Sequence, residues 1–240
     1  MSVVSTVIRV GHKGADLIAP GNTFASFDAA LEAGVDMIEF DVLPERIDGG
    51  GGLFLAHDYR DLRGRSAATL EEGLRFLASE RFSGVDFLVD LKLPGYELRV
   101  VEAVEACGLT GRSLISTQYV ASLAVIRGSG SPVRLSWTVP KLRRDPFRSP
   151  FTVPFAYGGL AAARAVLPSR AAAALRAGRC DVLTAHWRLV TPRLVRAVAG
   201  AGGELFVWTV DELPRLRALQ ALGVNGLITN DPRLFAVPAA

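Results

Sequence analysis

The sequence predicts an α/β fold, a (β/α)8 barrel in which eight parallel strands alternate with helices. Short apolar runs that suit buried strands are separated by longer segments with helical patterning along the 240 residues. A second observation is a recurring junction, where a helical segment stops at glycine and a buried strand starts within a few residues. This junction occurs at Gly34, Gly108, Gly178, Gly202 and Gly223. We expect the whole chain, residues 1–240, to form one such domain.

The strands are assigned in chain order from β-branched and other apolar residues. The eight runs are Val7–Val10, Val35–Val42, Phe87–Leu91, Ser113–Ser116, Val133–Thr138, Asp181–Ala185, Leu205–Thr209 and Gly226–Thr229. A short additional run, Leu53–Ala56, follows the second of them, and Asn22 or Thr23 is placed to cap a first helix that continues through Leu31. The alternation favours parallel strands with right-handed crossovers. An open doubly wound sheet is the alternative, but no G-x-G-x-x-G motif follows the first strand.

The composition excludes several classes of protein. Hydrophobic residues make up 50% and charged residues 21% of the chain, an ordinary globular balance. No apolar run approaches the roughly 18 residues that suggest a membrane span, and no signal peptide is recognisable. Cys107 and Cys180 lack metal-ligand spacing, which suits small buried residues in a reducing compartment. The net charge of +3 gives slight support to an anionic substrate, and no basic and aromatic pattern indicates nucleic acid. We therefore expect a cytoplasmic protein without stable membrane insertion.

Two acids interrupt the second apolar run. Glu39 and Asp41 are two residues apart, so in a strand both side chains project from the same face. Burying two like charges together is costly unless a cation or a shared proton relieves the repulsion. A hard divalent ion such as Mg²⁺ or Ca²⁺ would do so through oxygen ligands. The alternative, which is equally open, is that one of the two acids caps a neighbouring loop and the other pairs with an arginine.

In barrels of this type the active site lies at the C-terminal ends of the strands. Reactive side chains follow or end several of the predicted runs: His12, Glu39, Asp41, His57, Asp90, Lys92 and Trp208. Their convergence on one rim favours a functional site, although a structural His12 and a plain Asp90–Lys92 salt bridge remain the alternatives. His186 could line the mouth or bond to a backbone carbonyl. Trp208 suits a hydrophobic wall for a substrate and ordinary barrel packing equally well.

Several short motifs resemble the glycerophosphodiester phosphodiesterase family. They are HKG at 12–14, PGNT at 20–23, EFDV at 39–42, AHD at 56–58 and the stretch FVWTVDELPRLRALQALGVNGLITNDP at 206–232. The resemblance runs from residue 10 to about 232, with matching order and spacing. It implies a TIM barrel of the phospholipase-C-like phosphodiesterase type. It also implies cleavage of glycerophosphodiesters to glycerol 3-phosphate and an alcohol, with Mg²⁺ or Ca²⁺ as the cofactor.

Carried over position by position, the resemblance implies a role for each matching residue. His12 and His57 would be the acid–base pair, but which of them is the base stays open. The metal ligands would be Glu39, Asp41 and Asp90. Lys92 would contact the phosphate. Apart from the resemblance, Lys13 and Trp208 are further candidate substrate contacts, and Asn22 and His186 are candidate mouth residues.

The chain also departs from the family pattern. Lys13 stands where the family usually has arginine, and therefore lacks the bidentate fork for phosphate. Gly21 and Asp90 each stand where glutamate is usual. The usual insertion after the His-Asp motif is nearly absent, since only eleven residues, Asp58 to Ala68, precede the next helix. These departures leave the acid–base pair in place but leave the particular substrate open.

The short loop predicts an open mouth. Trp187, Trp208 and the segment Phe147–Tyr157 would edge it, so lysophosphatidylcholine should compete with glycerophosphocholine as a substrate. A lysophospholipase D or phospholipase D-like enzyme is therefore one alternative, in which the aromatic and basic stretch Leu142 to Tyr157 meets a lipid surface. A packed loop with solvated arginines is the favoured interpretation of that stretch. A non-catalytic barrel that binds phosphodiesters is the other alternative, and the presence of both histidines argues against it.

Overall fold

The structure is a computed structural model that describes residues 7–139 and 153–238, with side chains in the second part described from residue 157. In these two ranges nine strands form one sheet, and β1 pairs with both β2 and β9, so the sheet closes into a barrel. The strands are β1 Ile8–Gly11, β2 Met37–Pro44, β3 Leu53–Leu55, β4 Asp86–Leu91, β5 Ser113–Thr117, β6 Arg134–Thr138, β7 Val182–His186, β8 Glu204–Trp208 and β9 Gly226–Thr229. Eight of them are parallel neighbours around the barrel, and β3 pairs antiparallel with β2. The predicted (β/α)8 barrel is confirmed.

Helices connect successive strands around the outside. They are α1 Phe24–Glu32, α2 Tyr59–Gly64, α3 Leu70–Leu77, α4 Glu97–Ala106, α5 Val120–Gly128, α6 Val153–Arg176, α7 Pro192–Ala199 and α8 Leu213–Leu222. Thr23 caps α1 and forms a capping box with Ser26. It is one of the two residues, Asn22 and Thr23, that were predicted as the cap. The five predicted junction glycines all have φ between 64° and 85°, the left-handed conformation that ends a helix without a Cβ clash. No helix in the described ranges is both long and apolar enough for a membrane crossing.

One predicted segment differs. The sequence suggests an irregular insert from Pro140 to Gly159, but α6 begins at Val153, so its last seven residues are helical. Alanine-rich sequence after Gly159 favours this helix. Phe147 and the basic residues of the same insert lie outside the described residues, and a single domain over residues 1–240 stays a prediction.

The barrel interior has an apolar floor with polar side chains above it. Seven apolar side chains from seven parallel strands form the floor as a cluster of their own: Val10, Met37, Leu88, Leu114, Val182, Phe206 and Ile228. On β2 the intervening residues Ile38 and Phe40 face outward into the core between sheet and helices. Because strand side chains alternate, Glu39 and Asp41 continue the inward series that begins at Met37, toward the C-terminal mouth. The floor therefore closes one end of the barrel to water, and the acids lie at the other.

Candidate active site

Three carboxylates meet above the barrel floor. One oxygen from each of Glu39, Asp41 and Asp90 can be chosen so that all three lie within 4.8 Å of one another. Strand register explains this, since Asp41 on β2 pairs directly with Asp90 on β4, and Glu39 is one inward position below. Glu39 and Asp41 are 5% and 0% exposed. The parallel pairing thus brings together residues that are about fifty positions apart in the chain.

Neighbouring groups fix the orientation of each acid. The Asn22 amide donates from Nδ2 to Asp41 Oδ2 and accepts the backbone N–H of Asp41, both at 2.9 Å. The backbone N–H of Lys13 donates to Glu39 Oε2 at 2.7 Å, and the Ser116 hydroxyl donates to Asp90 Oδ1. Asn22 is 1% exposed, contacts Asp41 and also lines a cavity of the protein. Asn22 thus holds a candidate ligand in place, and its position at the mouth stays a prediction.

Backbone strain is concentrated at the same point. Among the described residues, Lys13 and Asn22 are the non-glycine residues with positive φ, 50° and 58°. Asn22 donates its backbone N–H to the Lys13 carbonyl at 3.0 Å. Such conformations cost of order 1–3 kcal/mol each and persist where the surrounding structure enforces them. Here they aim one backbone N–H at Glu39 and one amide at Asp41.

Lys92 supplies the positive charge of the cluster. Its ammonium forms ion pairs with Asp41 and, at 2.7 Å, with Asp90. Burial opposes the charged lysine, but Asp41, Asp90 and Glu39 together raise its pKa. The backbone N–H of Lys92 donates to the Tyr96 hydroxyl at 2.9 Å, which anchors the turn after β4. The predicted Asp90–Lys92 salt bridge is present, and Lys92 contact with a phosphate stays a prediction.

The charges of this cluster do not balance within the protein. Burial and the neighbouring Asp41 raise the pKa of Glu39. Burial would also raise the pKa of Asp41, but the charges of Lys92, His57 and His12 keep it below its usual range. Three carboxylates around one ammonium leave an excess of two negative charges if all are ionised. Oxygen donors with that excess suit a hard divalent cation such as Mg²⁺ or Ca²⁺, so the residues fit the predicted metal.

His12 lies beside the acids, directly after β1. Its Nε2 is 3.9 Å from Glu39 Oε2, and its Nδ1 is 2.6 Å from Asn230 Oδ1. Burial lowers the pKa of His12, because an imidazolium loses hydration there. The ring is therefore neutral near pH 7. A neutral imidazole with one nitrogen directed to the acids can accept a proton.

His57 occupies a more exposed position than His12 and lines a cavity. Its side chain is 50% exposed, and Nδ1 lies 3.2 Å from Asp58 Oδ2. Its backbone N–H donates to Asp61 in α2, and Arg65 holds Asp61 at 2.8 Å. The cavity of about 360 Å³ is lined almost entirely by polar residues: Lys13, Asp16, Pro20, Gly21, Asn22, His57, Asp58, Asp61 and Arg65. His57 therefore faces the same space as Lys13 and Asn22.

Asp16 contacts both Lys13 and Gly21, two of the positions that depart from the family pattern. Its carboxylate accepts from Lys13 Nζ at 3.1 Å and from the backbone N–H of Gly21 at 2.9 Å. A Cβ at position 21 would lie 2.5 Å from Asp16 Oδ1 and 2.8 Å from Lys13 Cβ. Glycine at 21 is thus required by the Asp16–Lys13 pair. Asp16 was not among the predicted site residues, although it follows β1 by only five residues.

We expect Gly21→Ala to destabilise the protein by about 1–3 kcal/mol, because the added methyl overpacks this contact. Gly84→Ala is the matched control, since a Cβ there meets no atom within 4 Å. Urea unfolding midpoints of the two variants and the unchanged protein measure the difference. Equal midpoints for the two variants would contradict the steric account.

The aromatic side of the mouth combines packing with exposure. Trp208 is half-buried against the floor cluster, and its ring meets His186 edge-on with centroids 5.5 Å apart. His186 Nδ1 accepts the backbone N–H of Arg188 at 3.2 Å, and its position at the mouth stays a prediction. The Arg215 guanidinium lies 3.7 Å over the Trp187 ring. The packing interpretation of Trp208 is supported, and its contact with a substrate stays a prediction.

The structure also reveals residues to which the sequence assigned no role. Asn230 directly follows β9, and its amide binds Asp211, which follows β8. Both positions satisfy the strand-end rule that identified His12, so the rule could have found them. Ser116 contacts Asp90 because the two residues are paired directly between β5 and β4.

Comparison with known proteins places this arrangement in a family. The sequence model of the glycerophosphoryl diester phosphodiesterase family matches residues 12–44 and 151–234. A glycerophosphodiester phosphodiesterase from Caldanaerobacter subterraneus is 24% identical over 257 aligned positions, covering 93% of each chain. These matches include the segment with His12, Glu39 and Asp41.

Solved structures share the fold. A putative glycerophosphoryl diester phosphodiesterase from Silicibacter pomeroyi superposes with a TM-score of 0.75 at 21% identity, covering 96% of this chain and 92% of the other. A phosphodiesterase from Oleispira antarctica, solved with its product sn-glycerol-3-phosphate, has a TM-score of 0.65 at 17% identity, covering 94% and 93%. The family match, the related sequence and the common barrel agree. The chain belongs to the glycerophosphoryl diester phosphodiesterase family and is a phosphoric diester hydrolase.

Proposed function

We propose that the chain is a metal-dependent glycerophosphodiester phosphodiesterase that releases glycerol 3-phosphate and an alcohol. The observation that carries this proposal is the buried carboxylate cluster, which lies next to His12 and whose Asp41 is within electrostatic range of His57. A phosphodiester is anionic and its alkoxide is a poor leaving group, so hydrolysis needs charge neutralisation and proton transfer. The cluster and the two histidines offer both.

Glu39, Asp41 and Asp90 would hold a Mg²⁺ or Ca²⁺ ion, which when bound neutralises charge on the phosphoryl oxygens. Lys92 keeps its proton, because its neighbours raise its pKa, and offers the phosphate a second positive charge. Lys13 is held by Asp16 on the cavity wall and is the other candidate contact for the phosphate.

The two histidines differ in environment, and this difference supports a division of roles. His12 is neutral near pH 7, so its Nε2 would accept the proton of the attacking hydroxyl. His57 lies half exposed beside the cavity and Asp58, where it would donate a proton to the departing alkoxide. General acid and base steps of this kind are each worth about 10²–10⁴-fold.

A second candidate is activity on lysophospholipids. The observation in its favour is that the six-residue α2 stands where a larger insertion would cover His57. Against it, the cavity beside His57 is lined with charged and polar groups, which suit a small polar substrate better than an acyl chain. An acyl chain would have to lie on the other side, along Trp187 and Trp208.

A panel of diesters tests both candidates. We expect glycerol 3-phosphate release from glycerophosphocholine and related diesters with Mg²⁺ or Ca²⁺. We expect lysophosphatidylcholine to react with a kcat/KM lower by less than about 10³-fold, roughly 4 kcal/mol in transition-state binding. A larger preference would exclude the lysophospholipid candidate. Binding of the diesters without any release, at every metal tested, would instead identify a non-catalytic barrel.

A further inference from the structure

A chain of hydrogen bonds leads from His12 away from the acids. His12 follows β1 and Asn230 follows β9, and these strands are neighbours in the barrel. The backbone N–H of His12 donates to the Thr229 carbonyl at 2.8 Å, which holds the two strand ends together. At this junction His12 Nδ1 and Asn230 Oδ1 are 2.6 Å apart. The opposite ring nitrogen, Nε2, is the one near Glu39.

The orientation of the Asn230 amide follows from its second partner. Asp211 accepts the side-chain N–H of Asn230 at 2.8 Å through Oδ2 and its backbone N–H at 2.8 Å through Oδ1. The Thr229 hydroxyl donates to the same carboxylate at 3.1 Å. An ionised carboxylate can only accept, so the amide nitrogen must face Asp211. The amide oxygen must therefore face His12.

That orientation determines the tautomer of the ring. A carbonyl oxygen can only accept, so the close contact at Nδ1 requires a hydrogen on Nδ1. A neutral imidazole carries one N–H, which leaves Nε2 without a proton. The nitrogen near the carboxylate cluster is then the one with a free lone pair.

We propose that Asp211 and Asn230 are positioning residues that hold neutral His12 in the Nδ1–H tautomer, so that Nε2 faces the carboxylate cluster as a proton acceptor. When the attacking hydroxyl gives its proton to Nε2, the ring becomes a cation with both nitrogens protonated. The Nδ1–H bond to Asn230 persists throughout, and Asp211 partly offsets the charge. The catalytic part of this inference rests on the proposed function, whereas the tautomer is a property of the folded protein.

The tautomer can be read directly by two-dimensional ¹H–¹⁵N correlation of the histidine rings. The chain has only three histidines, so the ring signals can be assigned with His57→Ala and His186→Ala variants. At about pH 8, above the ordinary histidine pKa of ~6.5, we expect the Nδ1–H pattern for His12 with Mg²⁺ present. An Nε2–H pattern in the unchanged protein would overturn the proposal without any variant.

Asp211→Asn is the informative substitution, because the new amide can donate and so no longer dictates how Asn230 is turned. We expect a shift of the His12 signals toward the Nε2–H tautomer and a fall in kcat of about 10–100-fold, with little change in KM. Asn230→Ala should produce the same two effects and serves if Asp211→Asn does not fold.

Asp231→Asn is the matched control. This substitution makes the same charge change at a residue two positions after Thr229. The Asp231 carboxylate caps a short helix and pairs with Arg233. We expect the unchanged tautomer and kcat in that variant. If Asp211→Asn and Asn230→Ala keep both the wild-type tautomer and kcat, the proposed positioning role of Asp211 and Asn230 is refuted. If the protein hydrolyses no diester, the proposed function fails, and the spectra alone decide whether Asp211 and Asn230 control the His12 tautomer.

Discussion

Asp41→Asn is expected to lower turnover of glycerophosphodiesters by at least about 10²-fold and to abolish stabilisation by Mg²⁺ or Ca²⁺. Asp41 is fully buried, carries a pKa held below its usual range and contacts Lys92 within the carboxylate cluster. A neutral amide removes one of the three oxygen anions that would bind the ion. It also leaves the Lys92 ammonium with one partner fewer. The effect should therefore appear in metal binding as well as in rate.

Two measurements separate metal binding from general instability. A ligand that binds only the folded state stabilises it by about 2.7 kcal/mol at a hundred times its Kd. Thermal unfolding with and without the ion should thus show an upward shift in the unchanged protein and none in Asp41→Asn. Asp48→Asn is the control, since Asp48 is two-thirds exposed on the loop after β2 and should behave like the unchanged protein.

Chelation gives the corresponding activity test. Turnover should disappear in EDTA and return when Mg²⁺ or Ca²⁺ is added in excess. Full activity in EDTA after extended dialysis would contradict the metal-dependent mechanism. Activity that returns with an ion in the Asp41→Asn variant as well would contradict the assignment of this ligand.

His12→Ala and His57→Ala are each expected to reduce kcat by about 10²–10⁴-fold while the fold remains intact. Far-UV circular dichroism and urea unfolding check the fold. His12 packs beside the acids and His57 is half exposed, so the first substitution should also alter stability more than the second. A variant that keeps near-normal turnover would remove that histidine from the acid–base pair.

The pH profile distinguishes the two roles. A base must be unprotonated, so activity is lost as the pH falls through the pKa of His12. Burial lowers that pKa, so the acidic limb should lie below the ordinary histidine value of ~6.5. This acidic limb should persist in the residual activity of His57→Ala. An acidic limb that disappears with His57 instead would reverse the assignment.

Local sequence determined the barrel and the strand-borne acids. Strand periodicity depends only on successive φ and ψ angles, so two-residue spacing was enough to place Glu39 and Asp41 on one face. Helix-ending glycines marked the αβ junctions for the same local reason. The position of His12 after β1 followed from the rule for strand ends, and the family resemblance added the acid–base role.

Partners that lie far apart in the chain were decided by the tertiary structure. Asn230 meets His12 across 218 residues because closure of the barrel makes β9 the neighbour of β1. No local propensity encodes such a contact, since it depends on strand order and register. Asn22 illustrates the same point. Its left-handed backbone directs the side-chain amide onto buried Asp41, a contact that no local pattern predicted.

Charge states likewise required the folded molecule. The sequence supplied an Asp90–Lys92 pair, but only packing of β2 against β4 brings Asp41 to the same ammonium. The pKa of a buried group depends on lost hydration and on every charge within a few ångströms. Those distances exist only after the strands close into the barrel, and they lower the pKa of His12 and raise the pKa of Glu39.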